Sequence, residues 1–277
     1  MRRSAWILTM CVGVVVLASA NVSGAFVTAP VATLTDSQST AQFDLGSDQG
    51  MNSWTVGGVN QLVRQWFWYR IGPNGGQSPI NALGGLVYGT TDTNLDGNMD
   101  TLYARYTGAQ LKVEGTFTLT GAGPAQPKSD IGETIKLTNL TAQPMDLHFY
   151  QYVDLSLGGT PQDSSVSITG GNTADQADIG TLVSETVLTP RPSHYQVDFA
   201  PNIYTLLNNG TPLTLNDNPG PLGPGDLSWA FQWDVTLGPA GSGTDTLLIS
   251  KDKQIVPEPA TLGLLVLGGL ALIRRRR

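Results

Sequence analysis

The sequence predicts an all-β protein, an antiparallel β-sandwich of the jelly-roll-like or immunoglobulin-like kind. The run from Leu111 to Leu119 alternates apolar and polar residues with a period of two, the pattern of a strand with one buried face. The 33 glycines and 17 prolines lie mostly between short β-branched or aromatic runs, where they favour turns. Apart from a weak pattern near 202–208, no long window has the roughly 3.6-residue period of a helix.

The strand candidates follow one another along most of the chain. The first, 61–71, is the aromatic run QLVRQWFWYRI, which ends at the turn signal Gly72-Pro73. Roughly a dozen short strands at this spacing imply two antiparallel sheets packed face to face. The later candidates are 83–90, 100–107, 110–120, 132–139, 145–157, 164–169, 181–189, 194–199, 228–237 and 244–251.

The N-terminus has the features of a secretory signal peptide, predicted at 1–25. Arg2 and Arg3 precede an apolar run, and Ser23-Gly24-Ala25 fits a small-x-small cleavage site, with Ala18-Ser19-Ala20 as the alternative. This predicted signal helix is excluded from the fold. A single β-sandwich domain is then predicted at 26–253, followed by a linker and a C-terminal segment at 254–277.

Cysteine content and charge narrow the class of protein further. The one cysteine, Cys11, lies in the signal peptide, so we expect no disulfide and no Cys-bound metal in the mature chain. Six of the 15 basic residues are Arg2, Arg3 and Arg274 to Arg277, which leaves nine against all 22 acidic residues, a net charge of −13. Such a body disfavours nucleic acid and peripheral binding to anionic membranes, and it suits an extracellular protein or one that meets divalent cations.

One acidic loop has part of a calcium-binding pattern. Its first six residues match D-x-[DN]-x-[DN]-G, in which alternate oxygens converge on a cation. Position twelve is Tyr103, where a calcium loop needs a bidentate carboxylate, and the flanking segments read as strands. A plain hairpin turn is therefore the favoured interpretation, with Ca²⁺ as the alternative and no other cofactor expected. The candidate ligands are Asp92, Asn94, Asp96, Asn98 through its backbone carbonyl, and Asp100.

Two tryptophans in the first strand candidate allow two interpretations. Trp66 and Trp68 fall on one face of the strand, and Phe67 and Tyr69 fall on the other. An exposed pair of indoles stacks on sugar rings in carbohydrate-binding modules, whereas a buried pair belongs to the core. With aromatic residues on both faces, the core interpretation is favoured.

The residues give little support for catalysis. The two histidines, His148 and His194, lie in different predicted strands and lack metal-ligand spacing. The sequence has no nucleophile elbow, phosphate loop or zinc motif. We therefore expect no enzymatic activity and assign no catalytic residue, although a pair of carboxylates, as glycosidases require, can form in space without a sequence signature.

The C-terminus, VPEPATLGLLVLGGLALIRRRR, combines three elements. Pro257-Glu258-Pro259 precedes the apolar segment 260–273, and Arg274 to Arg277 end the chain. As a helix, 260–273 spans about 21 Å, less than the roughly 30 Å of a hydrocarbon core. The arginines can snorkel and stay on the cytoplasmic side. The physics therefore favours temporary residence in the membrane over a permanent anchor.

This order of elements resembles the PEP-CTERM sorting signal of exported proteins from Gram-negative-type bacteria. The resemblance implies recognition by an exosortase, a membrane protease or transpeptidase-like enzyme. It further implies that 260–273 holds the precursor in the membrane and that the arginine cluster stays cytoplasmic. The residues implied in sorting are Pro257, Glu258, Pro259, Arg274, Arg275, Arg276 and Arg277.

The resemblance also predicts a route and a broad role. The chain is expected to pass the inner membrane through the secretion machinery, to be processed by the exosortase, and to reach the cell surface or the extracellular matrix. The family is associated with exopolysaccharide and biofilm matrix. A structural or adhesive protein is the leading expectation. A carbohydrate-binding module for exopolysaccharide and a matrix-acting hydrolase are the alternatives.

Overall fold

The structure is a computed structural model that describes residues 30–123 and 128–257. The predicted signal helix at 1–25 and the predicted hydrophobic helix at 260–273, with its arginines, lie outside these residues. Among the helices that the structure describes, none is long and apolar enough to cross a membrane.

The regular secondary structure of the described chain consists almost entirely of strands. One short α-helix, α1 (Asn202–Leu207), follows β15 and matches the weak helical pattern in the sequence. The strands are β1 (Val31–Asp36), β2 (Ser39–Asp44), β3 (Gly50–Val56), β4 (Val59–Asn60), β5 (Leu62–Ile71), β6 (Ser78–Pro79), β7 (Val87–Thr91), β8 (Thr101–Thr107), β9 (Leu111–Gly121), β10 (Ser129–Asn139), β11 (Met145–Leu155), β12 (Ser165–Thr169), β13 (Thr173–Asp178), β14 (Thr181–Thr189), β15 (His194–Phe199), β16 (Leu227–Leu237) and β17 (Thr246–Pro257).

The strands form two sheets that pack face to face. The first sheet has the order β1-β2-β3-β5-β11-β16-β15, with β4 beside β3 and β6 beside β5. The second has the order β12-β13-β14-β17-β10-β9-β8-β7. All named pairs are antiparallel except the short β3–β5 contact. The predicted antiparallel sandwich is confirmed, and with sheets of nine and eight strands it is larger than an immunoglobulin or jelly-roll domain.

The two sheets differ in how their outer faces are covered. Residues 201–217, which include α1, lie over the outer face of the first sheet, and residues 218–226 pair with the edge strands β15 and β12 of the two sheets. The Tyr150 hydroxyl of β11 donates to the Leu213 carbonyl at 2.7 Å, and the Leu215 amide donates to the Gln232 side chain of β16 at 2.8 Å. Consequently β11 from Phe149 to Leu155 and β16 from Leu227 to Trp233 are buried on both faces. The strands of the second sheet keep the alternation of buried and partly exposed residues that the sequence predicts for β9.

Aromatic side chains fill the space between the sheets. Phe67 of β5 stacks on Phe149 of β11, with ring centroids 5.6 Å apart and an interplanar angle of 13°. Phe149 in turn packs against Trp233 of β16, and Phe67 against Phe117 of the second sheet. Such contacts combine large apolar burial with favourable ring geometry, so they dominate the cohesion of the core.

Four charged side chains lie inside this core with no solvent exposure. Lys251 and Lys253 of β17 point inward between Glu133 of β10 and Glu185 of β14. The Lys251 Nζ lies 2.6 Å from Glu133 and 3.3 Å from Glu185, and the Lys253 Nζ lies 2.8 Å from Glu185. Burial favours the neutral acid, but the two ammonium groups outweigh it and hold the pKa of Glu185 below its usual value. The cluster is therefore internally neutral.

The C-terminal boundary of the domain differs from the prediction. The predicted linker starts at residue 254, but β17 continues to Pro257 and pairs with β14 as far as Thr181. Ile255 is buried in the core. The linker prediction is wrong for 254–257, because the Lys251-Asp252-Lys253 run looks solvated in the sequence, whereas both lysines are neutralised inside the fold.

Candidate functional site

The tryptophans of β5 are part of the core. Trp66 and Trp68 are 1% and 0% exposed. Trp66 packs edge-on against Tyr106 of the second sheet, and Trp68 packs edge-on against Tyr204 of α1. The core interpretation is the one the structure supports. The alternative, in which these two indoles are exposed and stack on sugars, is wrong because neither indole reaches the surface.

The acidic loop 92–100 connects β7 to β8 and is held by its own hydrogen bonds. The carboxylate of Asp92 accepts from the Leu95 amide at 2.6 Å and from the Gly97 amide at 2.8 Å. The Asn94 side chain accepts from Asp96, and the Asp96 side chain accepts from Asn98. Three of the five predicted ligands therefore lie in a compact turn, with their oxygens already engaged by amides.

The other predicted ligand side chain, Asp100, faces the body of the protein. It is buried and accepts from the Thr93 hydroxyl at 2.6 Å and the Thr101 hydroxyl at 2.9 Å. Burial alone raises the pKa of Asp100, but these hydrogen bonds and those from the Thr93 and Asn94 amides outweigh it and hold the pKa below its usual value. Tyr103, at loop position twelve, donates to Glu114 instead of approaching the loop.

We expect the loop to keep its structure without a cation, since its carboxylates satisfy its own amides. Within residues 30–123 and 128–257, no three His, Cys, Asp or Glu side chains are grouped as metal ligands. Chelation should therefore leave the melting temperature unchanged in differential scanning fluorimetry. A fall of several degrees that added Ca²⁺ reverses would establish the calcium alternative instead.

The structure brings the two histidines together, which their sequence positions do not indicate. Asp234 of β16 lies between them, with its Oδ1 2.6 Å from the His148 Nδ1 and its Oδ2 3.5 Å from the His194 Nε2. The His194 Nδ1 also lies 3.0 Å from Asp217. Asp217 belongs to the segment that covers the first sheet. The contacts that run from His148 through Asp234 and His194 to Asp217 therefore hold that segment against the sheet.

The strands of the second sheet keep an outer face of partly or fully exposed residues. We call it the open face. Its side chains are partly or fully exposed, and nine of them are Ser or Thr. The residues are Thr101, Tyr103, Arg105, Lys112, Glu114, Thr116, Thr118, Thr120, Asp130, Gly132, Thr134, Lys136, Thr138, Ser184, Thr186, Leu248, Ser250, Asp252 and Gln254.

A glycine creates a hollow at the centre of the open face. Gly132 of β10 pairs with Thr118 on one side and Asp252 on the other. A Cβ added at Gly132 would meet no atom within 4 Å. Glycine within a strand lacks a side chain to pack, and it often marks a place where another chain or a ligand approaches the backbone.

Two acidic side chains border this hollow. Burial, followed by a hydrogen bond with Asp252 and the charge of Asp252, raises the pKa of Asp130 to about 7. The carboxyl groups of Asp130 and Asp252 lie diagonally opposite one another on the neighbouring strands β10 and β17. They are in hydrogen-bond contact, closer than the roughly 5–10 Å separation of glycosidase carboxylates. The pair is better suited to hydrogen bonding than to glycoside hydrolysis.

The sorting residues begin where the fold ends. The backbone of Pro257 pairs with Thr181 at the end of β17. Glu258, Pro259 and the arginines Arg274 to Arg277 lie outside the described residues.

The fold and its C-terminus define the class, an all-β sandwich joined directly to an apolar segment with a basic end. Residues 256–277 match the PEP-CTERM protein-sorting motif. The predicted resemblance is confirmed over this segment, and the motif implies export, a membrane-anchored precursor and sorting by an exosortase.

Comparison with solved structures shows the fold alone. A bacterial glucoamylase, solved as a complex with acarbose, superposes with a TM-score of 0.55 at 9% sequence identity. The match covers 87% of this chain and 34% of the glucoamylase, so the chain spans about a third of that protein's length. The comparison with curated proteins gave no significant match.

Proposed function

We propose that the exported domain is a non-enzymatic adhesive protein that binds extracellular polysaccharide through its open face. The observation that carries this proposal is the uncovered, hydroxyl-rich outer face of the second sheet, in a chain whose C-terminus carries a sorting motif. The similarity to the glucoamylase gives no information about what this chain binds, because a match at 9% identity reports only the fold.

The chemistry of the open face suits a neutral polysaccharide. Neighbouring strands lie about 4.8 Å apart and alternate residues on one strand about 6.6 Å apart, so hydroxyl groups form a regular array. Thr101 and Thr118 already pair across strands at 3.2 Å, and Thr186 lies 3.1 Å from Thr173 of β13, the next strand beside this face. Each sugar contact is weak on such a surface, and repeated contacts along one polymer provide the affinity.

The charge of the domain favours neutral over acidic polymers. The chain outside the six terminal arginines carries a net charge of −13, which repels anionic chains at low salt. On the open face, Lys112 lies 2.9 Å from Glu114, so these two charges compensate one another. The other charged groups of the face are Arg105 and Lys136 and the carboxyl pair beside Gly132, so basic and acidic residues on it are equal in number, and the hydroxyls donate and accept hydrogen bonds.

A substitution at Gly132 tests the proposal without weakening the fold. Gly132→Leu places a bulky apolar side chain in the hollow, where its Cβ meets nothing within 4 Å. We expect at least a fivefold loss of binding to the purified exopolysaccharide of the producing cells. Because glycine is unfavourable in strands by roughly 0.5–1 kcal/mol, the melting temperature should stay equal or rise.

Gly89→Leu is the matched control. Gly89 lies on β7 at the edge of the same sheet, and a Cβ there also meets nothing within 4 Å. It should leave binding within twofold of the unsubstituted protein. Gly89 lies opposite Tyr103 at the rim of the same face, three strands from Gly132. Binding by the Gly132→Leu variant within twofold of the unsubstituted protein would contradict the assignment of the open face.

A further inference from the structure

The structure defines which end of the sandwich faces the membrane in the precursor. Only Glu258 and Pro259 separate the end of β17 from the apolar segment 260–273. Two residues span at most about 7 Å, even when fully extended. The end of the sandwich at which β17 terminates, here named the exit end, therefore lies next to the bilayer while the precursor is anchored.

The two most exposed large apolar side chains of the described residues both lie at the exit end. Ile179, 93% exposed, is at the tip of the β13–β14 hairpin, whose Thr181 pairs with Pro257. Leu95, 87% exposed, is in the loop between β7 and β8. That loop belongs to the exit end because Thr101, which follows it, pairs with Thr118 near the C-terminal end of β9.

These side chains flank the point where the chain leaves the fold. β14 is the neighbour of β17 on one side, and β8 is the third strand on the other side. Four strand spacings separate β14 from β8, about 19 Å. The exit point thus lies between two apolar tips, a suitable arrangement for contact with a broad surface.

A third apolar feature lies beside the exit point. Val59, 40% exposed, is in the short strand β4 at the end of the first sheet. Together with Val56, Thr181 and Ile255 it lines a groove of about 290 Å³. Exposed apolar surface next to a membrane-anchored strand end has a natural occupant in lipid.

We propose that the exit end is a membrane-contact surface, in which Ile179 and Leu95 insert into the lipid interface and seat the folded domain on the bilayer. Among residues 30–123 and 128–257 this end carries no basic cluster, and the body as a whole is acidic, so electrostatic attraction to lipid does not drive the contact. The membrane anchor drives the contact instead, because it holds Ile179 and Leu95 at high effective concentration beside the membrane. Cleavage of the anchor removes that advantage, and the domain leaves the surface.

The test places a fluorescent probe on single cysteines of the full precursor. Ile179→Cys and Leu95→Cys are made in a chain that also carries Cys11→Ser, and each is labelled with an environment-sensitive dye. The precursor is reconstituted in phosphatidylcholine vesicles that contain nitroxide-labelled lipid. We expect at least twofold quenching by the lipid nitroxide and a blue shift of the emission at both positions.

Leu188→Cys is the matched control. Leu188 is also apolar and 66% exposed, and it lies at the opposite end of β14 from Ile179. The strand places it about 26 Å from the exit end, so its probe should show no lipid quenching. Equal quenching at 179 and 188, or none at 179, overturns the proposal. So does photo-crosslinking of residue 179 to a protein in cells in place of quenching by lipid.

Discussion

Replacing Lys251 with methionine is expected to lower the free energy of unfolding by about 3–5 kcal/mol. The change removes the ammonium group that lies 2.6 Å from Glu133 and 3.3 Å from Glu185, all three without solvent exposure. It leaves two buried carboxylates with one ammonium, that of Lys253. An uncompensated charge inside the core costs far more than the methionine side chain recovers. Denaturant unfolding at pH 7 measures the effect.

A second substitution should reverse most of this loss. Adding Glu133→Gln to Lys251→Met leaves one buried pair, Lys253 and Glu185, whose Nζ and carboxylate lie 2.8 Å apart. We expect the double variant to regain at least half of the lost stability. Lys112→Met, which removes a partly exposed lysine paired with Glu114, should cost less than about 1 kcal/mol. If the stability losses caused by Lys251→Met and Glu133→Gln simply added in the double variant, this would contradict the mutual neutralisation of charges in the cluster.

The second large effect is expected at Trp66. Trp66→Ala should lower the free energy of unfolding by about 3–5 kcal/mol, because it opens a large cavity beside Phe67 and Tyr106. Thermal and denaturant unfolding measure the change. Trp66→Phe should cost less, since it fills part of the space.

A surface aromatic residue provides the comparison for Trp66. Tyr88 of β7 is 43% exposed, so Tyr88→Ala should change stability by no more than about 0.5 kcal/mol. If Trp66→Ala left stability unchanged but abolished binding to sugar, the placement of this indole in the core would be refuted.

The general architecture follows from local patterns in the sequence. The period of two in β9 identifies a strand with one wet face, and the aromatic and β-branched runs of β5, β11 and β16 identify strands even where both faces are buried. Besides the two-residue strands β4 and β6, the strands β1 to β3 and β13 are absent from the predicted set. Their residues are rich in Ser, Thr, Gln and Asp, so the alternation of buried and exposed positions has little apolar contrast.

Long-range compensation explains what the sequence does not reveal. Lys251 and Lys253 read as solvated, since their partners Glu133 and Glu185 lie on other strands. Whether Trp68 is exposed depends on Tyr204 of α1, far along the chain. The meeting of His148 and His194 at Asp234 likewise depends on the pairing of β11, β16 and β15.

The sorting motif, in contrast, does not depend on long-range contacts and can be recognised from the sequence alone. Pro257-Glu258-Pro259, the apolar segment and the terminal arginines are contiguous, so the sequence contains every element that the motif requires. The structure adds that the folded domain reaches the motif without a spacer, because β17 ends at Pro257.

The most direct test of the account is the fate of the C-terminus in cells that lack the exosortase. Fractionation and mass spectrometry of the C-terminal peptide should find the chain in the membrane, with residues up to Arg277 intact. In cells that have the enzyme, the same peptide should be cut near Pro257-Glu258-Pro259, and the domain should move to the surface or the matrix. Identical processing and location in both strains would contradict sorting through this motif.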